Sequence, residues 1–213
     1  MKKTLIINAH PISDSTSSVA LMGLQHFLNT YNKLKAEDEI IETISLYDVE
    51  IPPLSRTVFS AWEKQAAGKE LTTEEAQTLA RMTEILQQFK SAQKYIIVYP
   101  LHNFNIPSKL KDYMDNIFIA KETFKYTENG SVGLLKDGRS MLIIQGSGGV
   151  YTNNDWYTEV EYSYKYLKSM FNFFGIEDLD IFRVQGSSIY SREELEERAK
   201  AEATTFAKVF ATK

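Results

Sequence analysis

Hydroxyl side chains crowded before one helix, glycines crowded after one strand, and three histidines are the residues whose types and spacing could do chemistry here. Residues 10–18 read His10-Pro11-Ile12-Ser13-Asp14-Ser15-Thr16-Ser17-Ser18, and a helical pattern starts at their end. Free backbone N–H groups and the helix dipole favour an anion at such a place. Hydroxyls add donors without charge, so a phosphate group suits the loop. N-capping is the alternative use, and it needs only one of these residues. There is no Walker pattern and no Lys in the loop, which argues against an NTPase. Gly146-Ser147-Gly148-Gly149 either lets backbone approach a flat ligand closely or makes a sharp turn. It lacks the third glycine of a dinucleotide fingerprint. Around Ser147 the nucleophile-elbow pattern fails, because Gln145 stands where its first glycine belongs. His10, His26 and His102 all precede that serine, whereas the α/β-hydrolase order places the histidine after it. His26 falls within a helix and reads as structural. His10 and His102 end strands, and without clustered carboxylates they are weak metal ligands. The absence of cysteine removes thiolate nucleophiles, disulfides and Cys-ligated metals.

These residues need elements to position them. Residues 4–9 form a short apolar run that reads as a buried strand, followed by a helix over residues 18–34 with Val19, Met22, His26 and Phe27 inward. Residues 39–46 give a second strand. A long connection over residues 47–72 contains Pro52-Pro53 and a short helix near 58–67. Connections of this length are usually functional or disordered. Thr72-x-x-Glu75 is a capping box opening a helix with Leu79, Met82, Leu86 and Phe89 inside. Residues 94–101 are the third strand, and a helix over 108–120 follows. Asn129-Gly130 marks a hairpin within 123–135. The fourth strand covers 140–145 and a helix 155–174. The fifth strand covers 176–184, and Ser191-x-x-Glu194 caps the last helix.

Strands alternating with helices imply a parallel sheet covered on both faces. The expected fold is α/β: a flavodoxin-like, doubly wound five-stranded parallel sheet of order 2-1-3-4-5, one domain over residues 1–213. Ligands of such sheets bind at the carboxyl ends of the strands where the order reverses, between strands one and three. The loops 10–18, 101–107 and 146–154 converge there. A formal net charge of −4 makes nucleic acid a poor partner. No run of about 18 apolar residues provides a membrane span. The apolar start ends at Asn8, too short for a secretory signal, and cytoplasmic residence fits.

Two blocks carry a resemblance. Pro100-Leu101-His102-Asn103-Phe104-Asn105-Ile106-Pro107-Ser108-Lys109-Leu110-Lys111-Asp112-Tyr113 and Thr123-Phe124-Lys125-Tyr126-Thr127-Glu128-Asn129-Gly130-Ser131-Val132-Gly133-Leu134-Leu135 resemble hallmark stretches of the FMN-dependent NADH-azoreductases. That group belongs with the flavodoxin-like quinone reductases. The resemblance spans nearly the whole chain, including Phe173-Phe174-Gly175-Ile176. It implies a cytoplasmic, homodimeric flavoenzyme that takes hydride from NADH or NADPH onto FMN and reduces quinones or azo compounds. Carried over, Thr16, Ser17 and Ser18 would hold the FMN phosphate, with His10 where the family often has Ser. Pro100, Leu101, His102, Asn103 and Phe104 would border the flavin ring. Gly148 and Gly149 match the family's paired glycines. Gly146-Ser147 stands where many relatives have Ser-Arg, and His102 where many have Tyr or Trp.

With the chemistry on the cofactor, no protein nucleophile is needed, and both half-reactions would pass through one site in ping-pong fashion. Phe104, Phe124 and Tyr126 are candidates for the aromatic wall, with hairpin packing as the alternative for Phe124 and Tyr126. The segment 52–68, with Phe59 and Trp62, could reach across a dimer. Trp156, Tyr157 and Tyr162 could line an interface or the pocket. The competing expectations are a flavodoxin-type electron carrier and a flavin-binding sensor without NADH turnover.

Overall fold

The computed structural model describes residues 2–213. Its elements run β1 (Lys3–Asn8), α1 (Val19–Tyr31), β2 (Ile40–Ser45), α2 (Arg56–Ala66), α3 (Thr73–Lys90), β3 (Lys94–Pro100) and α4 (Ser108–Ile117). They continue β4 (Phe124–Thr127), β5 (Gly130–Gly133), β6 (Ser140–Ser147), α5 (Trp156–Glu159), α6 (Tyr162–Phe174), β7 (Asp178–Gln185) and α7 (Arg192–Ala211). Successive side chains of a strand point to opposite faces, so the apolar centres of β1, β3 and β6 feed two cores. Leu5, Ile7, Tyr95 and Ile97 pack with Phe89, Tyr113 and Phe171 on one face. Ile6, Ile96 and Val98 pack with Phe27, Tyr31, Ala203 and Phe210 on the other. Helices therefore cover both faces, as a buried parallel sheet requires.

The sheet has five parallel strands in the order β2-β1-β3-β6-β7. The expected 2-1-3-4-5 counted only sheet strands. The antiparallel hairpin β4–β5 intervenes in the chain, so the last two strands are the sixth and seventh. The order reverses between β1 and β3. Among the described residues, no helix is long and apolar enough to cross a membrane.

Beyond small shifts at helix ends, two regions depart from expectation. The helix expected over 155–174 is broken into α5 and α6. The Tyr162 N–H that would continue it donates instead to Phe104 O at 2.9 Å. The Glu161 carboxylate caps the new start, accepting from Tyr164 N at 3.0 Å. In the long connection, Ser55 caps α2, which starts at Arg56. Glu75 of the expected capping box also clasps α2, accepting from Lys64 Nζ at 2.8 Å and Ser60 Oγ at 2.7 Å. Hydrogen bonds from Lys64, the Thr72 amide and Ser60 hold its carboxyl down at about 2. His26 is half-buried with Nε2 3.6 Å from Glu196 on α7.

At the end of the sheet opposite the switch point lies a buried ion pair. Lys94 Nζ is 3.3 Å from Glu39 Oε2 and donates to Phe210 O at 3.2 Å. Thr4 and Tyr31 hydroxyls donate to the other Glu39 oxygen. Lys94 and Glu39 are both almost fully buried.

Candidate functional site

The first loop is built by Asn8, the last residue of β1. Its Oδ1 accepts from His10 N at 3.0 Å and its Nδ2 donates to Ser13 O at 3.1 Å. His10 Nδ1 accepts from Ile12 N at 3.0 Å, so the neutral ring carries its proton on Nε2. Burial lowers the His10 pKa, and the neighbouring His102 works in the same direction. The hydroxyls divide their tasks. Ser18 Oγ caps α1 by accepting from Leu21 N at 3.2 Å. Ser13 Oγ donates to Asp48, and Ser15 and Ser17 hydroxyls pair at 3.1 Å. Among the described residues, no acceptor takes the N–H of Thr16, Ser17 or Ser18. Free amides ahead of a helix start suit an anion. On the outer side of the loop, Arg192 Nη1 donates to Ser17 O at 2.8 Å and Nη2 to Thr16 O at 3.0 Å.

The second loop leaves β3 at Pro100, and Leu101 N donates to Gly146 O at 2.7 Å. His102 and Asn105 then exchange backbone hydrogen bonds at 3.0 and 2.9 Å. Between them Asn103 (φ +47°) and Phe104 (φ +66°) are both left-handed, the geometry of a primed turn. Such conformations cost non-glycine residues about 1–3 kcal/mol each, and they cluster at functional sites. The surroundings hold them. Phe104 O accepts from Tyr162 N, and the Phe104 ring stands edge-on to Trp156 at 5.5 Å and to Tyr151 at 6.4 Å.

The third loop begins with Gly146. A Cβ there would lie 2.7 Å from Ala20 N and 2.8 Å from Ala20 Cβ. Gly146 is thus buried beneath the first turn of α1 and lets that turn seat directly on the sheet, two residues past Ser18. The sequence leaves open a ligand approach or a sharp turn; in the fold its bare Cα is taken up by α1. Gly146→Ala is expected to push the start of α1 outward and cost about 1–3 kcal/mol, read as a lowered midpoint in thermal unfolding. Ser147 is also turned to internal work. Its Oγ donates to Gly149 O at 2.9 Å, and its carbonyl accepts from Gly186 N and Ser187 N. Gly148 and Gly149 are half-exposed and edge a cleft of about 520 Å³ shared with Tyr151, Tyr157, Ser188 and Ile189.

The fold therefore gathers His10, Thr16, Ser17, Ser18, Leu101, His102, Asn103, Phe104, Gly148 and Gly149 at the carboxyl ends of β1, β3 and β6. For Phe124 the hairpin-packing alternative is the one the structure shows. Phe124 is 3 % exposed and packs against Phe118 at 4.6 Å and Phe173 at 5.2 Å, fastening the hairpin to the body. Tyr126 is 76 % exposed on that hairpin, edge-on to Phe124. Tyr151 and Arg192 were not singled out from the sequence. The Tyr151 signal was its place two residues after the glycine pair. No local pattern points to Arg192. Beneath the second and third loops, Gln145 Nε2 donates to Glu161 Oε1 at 3.1 Å and Ser163 Oγ at 2.9 Å. This buried cluster anchors the α5–α6 break.

Residues 2–209 match a family model described as a flavodoxin-like fold. Over 213 residues the chain is 62 % identical to FMN-dependent NADH:quinone oxidoreductase 1 of Bacillus anthracis, covering 100 % of this chain and 97 % of that one. It is 43 % identical over 188 residues to FMN-dependent NADH:quinone oxidoreductase 1 of Lactiplantibacillus plantarum, covering 87 % of each. A crystal structure of an FMN-dependent NADH-azoreductase from Bacillus anthracis in complex with FMN superposes with a TM-score of 0.96 at 62 % identity, covering 99 % of this chain and 100 % of that one. A second azoreductase structure from Bacillus anthracis gives 0.87 at 30 % identity over 98 % of this chain and 100 % of that one.

Proposed function

This chain belongs to the flavodoxin-like family of FMN-dependent NADH:quinone oxidoreductases and azoreductases, and we propose that its three converging loops hold the cofactor and receive both substrates in turn. The protein is an FMN-dependent NADH:quinone oxidoreductase with azoreductase relatives. The observation that carries the site assignment is the set of unpartnered amides at Thr16, Ser17 and Ser18, set before a helix seated closely on the sheet. These amides and the exposed Thr16 hydroxyl hold the FMN phosphate. Leu101, His102, Asn103 and Phe104 border one side of the ring, and the Gly148 and Gly149 backbone lies along another edge.

Bound FMN supplies the redox chemistry, accepting hydride from NADH and passing the reducing equivalents to a quinone or an azo compound. The protein's part is positional. The strained turn at Asn103-Phe104 presents the Phe104 ring, and with Tyr151 and Trp156 it forms a wall against which a flat acceptor stacks. Donor and acceptor share this one mouth, which gives ping-pong kinetics. Phe104→Ala is expected to raise KM for a small quinone about ten-fold, with a smaller change in kcat; steady-state kinetics reads the split.

Exposed Phe59 on α2, Tyr126 on the hairpin and Trp156 on α5 support a homodimer, since aromatic residues are enriched at interfaces. Residence in the cytoplasm, where NADH is supplied, completes the reading. The test is an absorption spectrum of the protein reconstituted with FMN, followed by anaerobic NADH and then a quinone. Bleaching by NADH and recovery with quinone over many turnovers is the expected result. A bound flavin that NADH leaves oxidised would overturn the enzyme and favour a carrier or sensor.

A further inference from the structure

The proposed phosphate loop carries no cation of its own, and two carboxylates stand beside it. Asp14 lies within the loop, and Asp48 accepts from Ser13. The cationic group that touches the loop backbone comes from the far end of the chain. Arg192, the first residue of α7, places one guanidinium N–H on the Ser17 carbonyl at 2.8 Å and another on the Thr16 carbonyl at 3.0 Å. These are consecutive carbonyls, so the planar fork grips two adjacent peptide units at once.

The geometry of the peptide gives this grip a direction. A trans peptide is planar, and its C=O and N–H point to opposite sides. The Thr16 carbonyl belongs to the same unit as the Ser17 N–H, and the Ser17 carbonyl to the same unit as the Ser18 N–H. Drawing both carbonyls outward to Arg192 turns both N–H groups the other way. Those two N–H groups have no protein acceptor among the described residues. A charged donor on a carbonyl also polarises its peptide, as hydrogen bonds in series reinforce one another. The guanidinium thus strengthens the two amides as donors from one peptide away, without contacting the anion.

Resting on the proposed site, we infer that Arg192 is a positioning residue for the FMN phosphate, acting through the Thr16–Ser17 and Ser17–Ser18 peptides. Arg suits the task better than Lys, because its planar fork holds two N–H donors in a fixed, preorganised geometry. Arg192 is exposed and lies in the first turn of α7, whose packing against the sheet is carried by Leu195, Ala199, Ala203 and Phe210. Its removal leaves that core intact.

The experiment titrates apoprotein with FMN and, separately, with riboflavin, following quenching of flavin fluorescence. Riboflavin shares the ring and lacks the phosphate. Arg192→Ala is expected to weaken FMN binding about ten- to a hundred-fold, as loss of charge-assisted hydrogen bonds predicts, and to change riboflavin affinity less than about two-fold. Arg192→Lys should recover part of the loss and Arg192→Gln less. Unchanged FMN affinity in Arg192→Ala overturns the inference, and so does an equal loss for FMN and riboflavin, which would make Arg192 a general support of the fold. Failure of the unmodified protein to bind FMN would instead remove the site assignment itself.

Discussion

Ser18→Asp is expected to weaken FMN binding by about three orders of magnitude while leaving the fold intact. The separation of effects comes from the cap. Ser18 caps α1 through its side-chain oxygen, and Asp caps as well as Ser while suiting the positive end of the helix dipole. The helix therefore keeps its start. The phosphate does not keep its site, because a carboxylate within about 4 Å of one negative charge costs about 4 kcal/mol at an effective dielectric of 20, and FMN carries a dianion. Ser18→Asn supplies the matched control, with a capping oxygen and no charge; it should bind FMN within about ten-fold of the unmodified protein. The measurement is an FMN titration at two ionic strengths, since a Coulombic loss shrinks as salt rises. Tight FMN binding by Ser18→Asp would show that the phosphate lies elsewhere.

The second large effect concerns stability at the other end of the sheet. Lys94→Met leaves Glu39 charged, buried and without its cation, a change that costs about 3–5 kcal/mol. For a chain of this size that lowers the melting temperature by roughly 6–20 °C. Replacing both partners, as Glu39→Gln with Lys94→Met, should return most of the loss, because the buried charge goes and the acceptor for Tyr31 and Thr4 stays. The pH dependence has a definite sign. Burial alone would raise the Glu39 carboxyl, but hydrogen bonds from Tyr31 and Thr4 and the charge of Lys94 outweigh it and hold it below its ordinary value. A carboxyl lowered on folding adds stability above its unfolded pKa of about 4.3 and loses it as pH falls through the folded value. Without Lys94 two lowering influences are gone, so the carboxyl lies higher than in the unmodified protein and acidification relieves it. The gap between the two proteins should thus narrow with acidification, as Glu39 takes up its proton first in the variant and then in the unmodified protein. A gap that is constant with pH would show that Lys94 acts by packing alone.

Local signals made most of the fold legible. Thr72 with Glu75 and Ser191 with Glu194 are capping boxes in the structure as in the sequence. Asn129-Gly130 marks the hairpin turn. What escaped depends on partners far away in the chain. The helix break at Val160 has a local cap in Glu161, but the other groups that compensate it, Gln145 and the Phe104 carbonyl, are far away in the chain. Asn103 and Phe104 take left-handed conformations without a glycine to betray them. Phe124 could be either wall or hairpin packing from the sequence, because the two look alike until Phe118 and Phe173 are in place. Gly146 was legible as a glycine with a purpose, but whether a ligand or Ala20 needed the space was not.

The grip of Arg192 on the first loop orders events during synthesis. The hydroxyl loop leaves the ribosome well before Arg192, and its two outward carbonyls find their donor only 175 and 176 residues later. Helix α1 waits equally long for its neighbour, since Phe27 and Tyr31 rest on Phe210 near the end of α7. At about 5–20 residues per second, that interval is roughly 9–35 s. On the proposed site, tight capture of FMN would be a late event, completed when α7 docks and brings Arg192 to the Thr16 and Ser17 carbonyls.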